Sequence, residues 1–325
     1  MRIKFDFCVP IFAGASAAFR GLEYEIIKMG AKEAEELGYS TVWVADHVSM
    51  GDKGEIFEGW TLLSSLSEVT KKVGIGSLVL CNAHRYPSLV AKMASTLDVI
   101  SEGRLNFGIG AGWNKTEHLS YGFPWYDKPS IRVKRMEEAL DIIKLLWTKE
   151  RVSYHGKYYT VKDAVCEPKP LQKPHPKIWI GGGGEKLLLK TVAKYADGWN
   201  IPAIPAEVYA HKLEVLRKYC EEVGRDYNSI EKSLEMMVLI TDYEDEVKKA
   251  QEWLNWLLDL QKEAGELKPR LEIKKLYIVG NLDECIKRFE EYVKVGVQRF
   301  MLYFLDLPSL KSMRRIAREI MPSFT

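Results

Sequence analysis

Short apolar runs alternate along this chain with longer stretches in which apolar residues recur every three or four positions. The runs at 3–9, 41–45, 73–80, 104–109, 177–180, 197–201, 234–241 and 299–304 are apolar almost throughout, as parallel strands covered on both faces should be. Between them the spacing predicts helices over 24–37, 60–70, 88–100, 187–195, 207–223 and 283–295, with a closing helix over 310–320. Strand and helix in strict alternation is the signature of βαβ units. Eight such strands suit a (β/α)8 TIM barrel with insertions better than an open doubly wound sheet.

Three segments interrupt the alternation and read as insertions at about 111–131, 151–176 and 244–275. The second holds a short hairpin through His155-Gly156-Lys157 and a proline-rich connector over 167–176. The third is rich in Lys and Glu, which usually marks a solvated helical face, and its position also makes it a candidate lid. The amphipathic stretch 132–147 places Met136, Leu140, Ile143 and Trp147 on one side, so it is a core-packing helix. A single barrel domain over 1–325 accounts for all of it.

Composition narrows the partners. Lys and Arg number 47 against 45 Asp and Glu, a net charge of +2, so no global attraction to nucleic acid or an anionic membrane is built in. A small molecule is the expected partner. Five cysteines, none in a C-x-x-C pair, read as reduced thiols of a cytoplasmic protein. Charges at Lys4 and Asp6 break the first apolar stretch, and no window is long and uncharged enough for a membrane span.

In a barrel, chemistry belongs at the C-terminal ends of strands. Trp43-Val44-Ala45-Asp46-His47 ends a strand in an acid and an imidazole; the pair suits a proton donor or acceptor near neutral pH, and equally a turn cap. The loop Cys81-Asn82-Ala83-His84-Arg85 follows another strand, and surface placement is expected for His84 and Arg85. Gly108-Ile109-Gly110-Ala111-Gly112-Trp113 lacks the last glycine of a dinucleotide fingerprint; its small residues leave room for a planar ligand, with an indole alongside. Gly181-Gly182-Gly183-Gly184 opens a helix after a strand and reads as a phosphate cradle without the G-K-[ST] of a P-loop. Glu117 and His118, as neighbours, point in different directions on a helix. Serine-nucleophile and metal motifs are missing from the sequence, and no Cys/His run has ligand spacing, so no metal site is expected.

Three stretches together carry a resemblance: W-V-A-D-H at 43–47, G-I-G-A-G-W-N-K-T-E-H at 108–118 running on to Y-G-F-P-W, and E-P-K-P-L-Q-K-P-H-P-K-I-W-I-G-G-G-G at 167–184 running on to A-D-G-W-N. Over nearly its whole length the chain resembles the luciferase-like family of flavin- and coenzyme F420-dependent enzymes, including tetrahydromethanopterin reductases. The resemblance implies a bacterial luciferase-like barrel and makes His47 the catalytic proton donor or acceptor. It places Asp46, Leu78, Val79, Cys81, Gly110, Ala111 and Gly112 around the cofactor ring, Leu78-Val79 at the site of a non-prolyl cis peptide, and Gly181 to Gly184 at the cofactor phosphate. Phe12, Trp60 and Trp113 would line the substrate pocket. The family's sugar-phosphate dehydrogenases carry a glutamate where Trp113 stands here, which counts against that activity.

What the resemblance implies is hydride transfer between coenzyme F420 and a small organic substrate. The alternatives are a two-component monooxygenase that uses reduced FMN, O2 and a separate flavin reductase, and a barrel that binds a cofactor without turning it over. A homodimer is implied as well.

Overall fold

The computed structural model describes residues 2–11, 23–50, 55–263 and 272–324. Eight parallel strands form the barrel: β1 (Lys4–Cys8), β2 (Thr41–Val44), β3 (Gly74–Ser77), β4 (Leu105–Gly110), β5 (Lys177–Gly181), β6 (Gly198–Pro202), β7 (Glu231–Ile240) and β8 (Arg299–Phe304). Each pairs with the next, from Phe7 opposite Val42 to Ser233 opposite Arg299, and Lys4 opposite Arg299 closes β8 onto β1. All eight strands read from the sequence are present. The run read as one strand over 73–80 is interrupted: β3 ends at Ser77, the Leu78–Val79 peptide bond is cis, and pairing resumes with Leu80 opposite Ile109.

Alternation along the strands sorts side chains between two cores. Phe7, Val42, Phe107 and Ile178 join the large core between barrel and helices, where a Cβ on Gly30 would lie 2.9 Å from Phe7 Cζ. Cys8, Trp43, Leu78, Trp179 and Met301 fill the barrel interior, with Trp43 and Trp179 edge to face at 5.4 Å. Charged side chains in this interior include a hydrogen-bonded network. Arg299 Nη1 donates to both oxygens of Asp6 at 2.8 Å and Nε to Glu231 at 2.9 Å, and Trp43 Nε1 donates to Asp6 at 2.7 Å.

The insertions resolve into structure that leans on the barrel. The first holds the short helix Lys115–Ser120, and the second the hairpin Val152–His155 with Thr160–Ala164. In the third, helix Glu244–Glu263 buries Val247, Ala250 and Leu254 against Leu239, Val279 and Leu305, so its described part is a packed helix. The closing helix covers 311–320, as α-helix over Lys311–Arg315 and as π-helix over Ile316–Ile320. Among the described residues no helix is long and apolar enough to cross a membrane.

Candidate active site

The C-terminal ends of β2, β3 and β4 converge on one polar cluster. Asp46 is its anchor. One carboxylate oxygen accepts the Cys81 backbone N–H at 2.8 Å, and Arg85 forks onto both oxygens at 2.8 and 2.9 Å. Arg85 also binds Glu58, which caps helix Gly59–Val69 through the N–H of Thr61 at 2.7 Å. Burial alone would push the Asp46 carboxyl up, but His84 and Arg85 facing it hold it well below the usual carboxylate range. Asp46 therefore ties the strand resumed at Leu80–Cys81 to the end of β2.

His84 and Arg85 depart from the expected surface placement. Their side chains are 2% and 13% exposed, because a buried carboxylate has drawn in its counter-charge. His84 stacks on Phe123 with ring centroids 4.4 Å apart.

Asp46 does not orient His47. Successive residues leaving a strand face opposite ways, so the partner comes from another element. It is Glu117: His47 Nδ1 lies 3.0 Å from Oε2, while Oε1 accepts the N–H of Val48 at 2.6 Å and of Ser49 at 3.2 Å. Burial raises the Glu117 carboxyl, yet the hydrogen bonds from His47, Val48 and Ser49 outweigh it and leave the group below its ordinary value. An ionised carboxylate only accepts, so Nδ1 carries the hydrogen and Nε2 is the nitrogen left for exchange. Trp113 covers the same imidazole edge to face at 5.6 Å.

Sequence reasoning missed Glu117. Asn114-x-x-Glu117 has capping-box spacing, and Asn114 Oδ1 does accept the Glu117 N–H at 3.1 Å, but the glutamate side chain leaves the helix for His47. Glu117 and His118 do point different ways, and both end in the site: His118 Nε2 lies 3.5 Å from Cys81 Sγ, and its Nδ1 donates to Asn114 O at 2.7 Å. Burial pushes the Cys81 thiol up to about 12.

The glycines are explained first by neighbours. A Cβ on Gly110 or on Gly181 would lie 2.8 Å from Val79 Cγ2, so the two glycines admit the bulge at Leu78–Val79. On Gly112, whose φ is +83°, it would lie 3.0 Å from Cys81 Sγ. Ala111 sits half-buried between them. In the glycine run, the Gly182 N–H is already given to Asn200 O at 2.9 Å, and Gly183 packs under Ile201. Lys212 Nζ reaches Gly183 O at 2.8 Å and Glu185 at 2.9 Å. Trp60 is buried in the large core, and Phe12 lies outside the described residues.

Residues 4–299 match the family model described as luciferase-like monooxygenase. An F420-dependent glucose-6-phosphate dehydrogenase of Microbacterium testaceum is 29% identical over 307 residues, which cover 89% of this chain and 90% of the relative. Among solved structures, an F420-dependent secondary alcohol dehydrogenase in complex with an F420-acetone adduct superposes with a TM-score of 0.85 at 22% identity, covering all of both chains. A monooxygenase from Streptomyces bottropensis superposes at 0.83 and 20% identity, over 99% of this chain and all of the other. With a family match across nearly the whole barrel and full-length agreement of fold, the chain belongs to the luciferase-like monooxygenase family.

Proposed function

We propose that this protein is an F420-dependent oxidoreductase that moves a hydride between the deazaflavin and a small organic substrate, with His47 carrying the coupled proton. The observation that carries the proposal is the His47–Glu117 pair, an imidazole of defined tautomer at a barrel strand end. Relatives of 29% and 26% identity over nine-tenths of the chain, both named F420-dependent glucose-6-phosphate dehydrogenases, support the cofactor. Trp113 speaks for a substrate other than a sugar phosphate, because an indole offers no base and no positive charge.

The residues fit such a cofactor. Gly183 and Gly184 precede helix Leu188–Tyr195, and a Cβ on Gly184 would meet Leu188 Cβ at 3.6 Å, an ordinary contact, so this stretch of backbone is open to a phosphate. Lys212 brings a cation to the same loop. Val79, Gly110, Ala111 and Gly112 form the wall on which a planar ring would lie. When bound, coenzyme F420 supplies the hydride chemistry at its ring; the protein supplies position and proton. Glu117 keeps Nδ1–H engaged, so Nε2 of His47 gives or takes the proton as the substrate changes oxidation state. Trp113 over the imidazole shields that transfer from water.

Fluorescence titration of the purified protein with F420 and with FMN tests the reading. Tight F420 binding is expected. Tight FMN binding with no affinity for F420 would overturn it in favour of reduced-flavin chemistry with a separate reductase. His47→Ala with turnover intact would remove the imidazole from the mechanism.

A further inference from the structure

Near the His47–Glu117 pair, three side chains from two segments meet: Cys81 and His84 of one loop and His118 of the short helix after β4. Cys81, His84 and His118 each present one donor atom, and the three atoms lie within 4.8 Å of one another. From this juxtaposition we propose a binding site for a zinc-class divalent cation, with Cys81 Sγ and one ring nitrogen each of His84 and His118 as ligands and a fourth position open. One thiolate and two imidazoles are the donor set that borderline-soft Zn2+ prefers.

The geometry is close to what the ion requires. Zinc bonds of about 2.3 Å to sulfur and about 2.0–2.1 Å to nitrogen, at a tetrahedral angle, put S and N about 3.5 Å apart. Cys81 Sγ and His118 Nε2 are 3.5 Å apart. His84 needs to close by at most about 1.3 Å to reach the same spacing.

The outer partners agree. His118 gives its Nδ1 hydrogen to Asn114 O at 2.7 Å, which leaves Nε2 with a free lone pair toward Cys81. His84 Nδ1 lies 3.6 Å from Asp46 Oδ2, so ligation through Nε2 would leave Nδ1–H pointing at a carboxylate, the usual second partner of a metal-bound histidine. His84 Nε2 is buried with no hydrogen-bond partner, and Nδ1 has only the long approach to Asp46, which is costly for a side chain only 2% exposed. Gly112 keeps the space beside Cys81 and His118 clear, since a Cβ there would lie 3.0 Å from the sulfur and 3.1 Å from Nε2. Binding displaces the thiol proton, so uptake releases it to solvent. Arg85 and Arg132 lie nearby, but Asp46 neutralises the first, and Arg132 stacks over Trp125. The competing account is a packed core cluster held by an S–H···N bond.

The full-length protein, stripped with chelator and titrated with Co2+ alone, separates the two. The site predicts one Co2+ per chain and a thiolate-to-cobalt charge-transfer band. Cys81→Ser should abolish the band, and His118→Gln should weaken Co2+ binding by at least about 100-fold, more than loss of an outer-shell partner costs. Cys285→Ser, at a buried thiol outside the cluster, should leave both unchanged. Should the cluster variants fail to fold, X-ray absorption of the Zn2+-loaded parent protein decides, with one sulfur in the first shell expected. Absence of the charge-transfer band from the parent, or a first shell without sulfur, overturns the site.

Discussion

Glu117→Gln is the sharpest probe of the proton-transfer assignment because one carboxylate oxygen is held by the backbone while the other makes the shorter contact to the imidazole. Oε1 accepts from the backbone N–H of Val48 and Ser49 and lies 3.3 Å from His47 Nδ1, whereas Oε2 makes the shorter contact to Nδ1 at 3.0 Å. A glutamine that keeps its carbonyl oxygen on the backbone pair must turn its NH2 toward the imidazole. Two donors then meet, and the imidazole relieves the clash by moving its hydrogen from Nδ1 to Nε2. The nitrogen left for exchange no longer accepts, and an imidazolium loses a charge-assisted hydrogen bond worth about 1.5–3 kcal/mol. That loss is about 10- to 150-fold in any rate that passes through the imidazolium. The loop itself should hold, since Val48 and Ser49 keep an acceptor. Imidazole 15N shifts, with His47 assigned by subtraction of the His47→Asn spectrum, report the tautomer without need of a substrate. Single-turnover hydride transfer, followed by deazaflavin absorbance, reports the rate. A Glu117→Gln protein that keeps Nδ1–H, or transfers hydride at the parent rate, would refute the reasoning.

Other predictions address the frame around the pair. Arg85→Met leaves Asp46 buried with its main counter-charge gone and should cost about 3–5 kcal/mol in denaturant unfolding, most of it recovered in Arg85→Met/Asp46→Leu. Gly183→Ala puts a Cβ 2.4 Å from Ile201 Cδ1, the movable end of a side chain, so the fold survives while the proposed cradle shifts; F420 binding should weaken about tenfold, near 1.4 kcal/mol, by titration. Far from the site, burial raises the Glu35 carboxyl, but the N–H groups of Val73, Lys72 and Lys71, with Arg104, outweigh it and leave the group below its ordinary value. A depressed folded value means stability that is present above the unfolded value near 4.3 and lost as the pH falls through the folded one. Glu35→Gln should therefore flatten the loss of stability as the pH falls below about 5, read from denaturation midpoints.

Much of the barrel was legible in the sequence because its determinants are local. An apolar run covered on both faces, a 3.6-residue stripe and a turn glycine each act over a few neighbours, so all eight strands stand where alternation places them. The interruption at Leu78–Val79 came from resemblance rather than from periodicity, since Val73 to Leu80 is uniformly apolar but for its glycines and Ser77. The closing helix runs where its periodicity places it, but local spacing does not announce its change from α-helix over Lys311–Arg315 to π-helix over Ile316–Ile320.

The site was legible only in part. His47 is marked by standing at the end of an apolar run, and the glycines by their clustering. Their reasons were hidden: Gly110 and Gly181, 71 positions apart, are both required by the one side chain of Val79. Nothing within ten residues of His47 announces Glu117, and nothing near Cys81 announces His118, because closure of the barrel brings the ends of β2, β3 and β4 together. Local sequence sets which way a strand or helix lies, since those energies are short-ranged. Which buried acid meets which base is decided by where the strand ends converge, and desolvation then leaves each charge no choice but the partner it finds there.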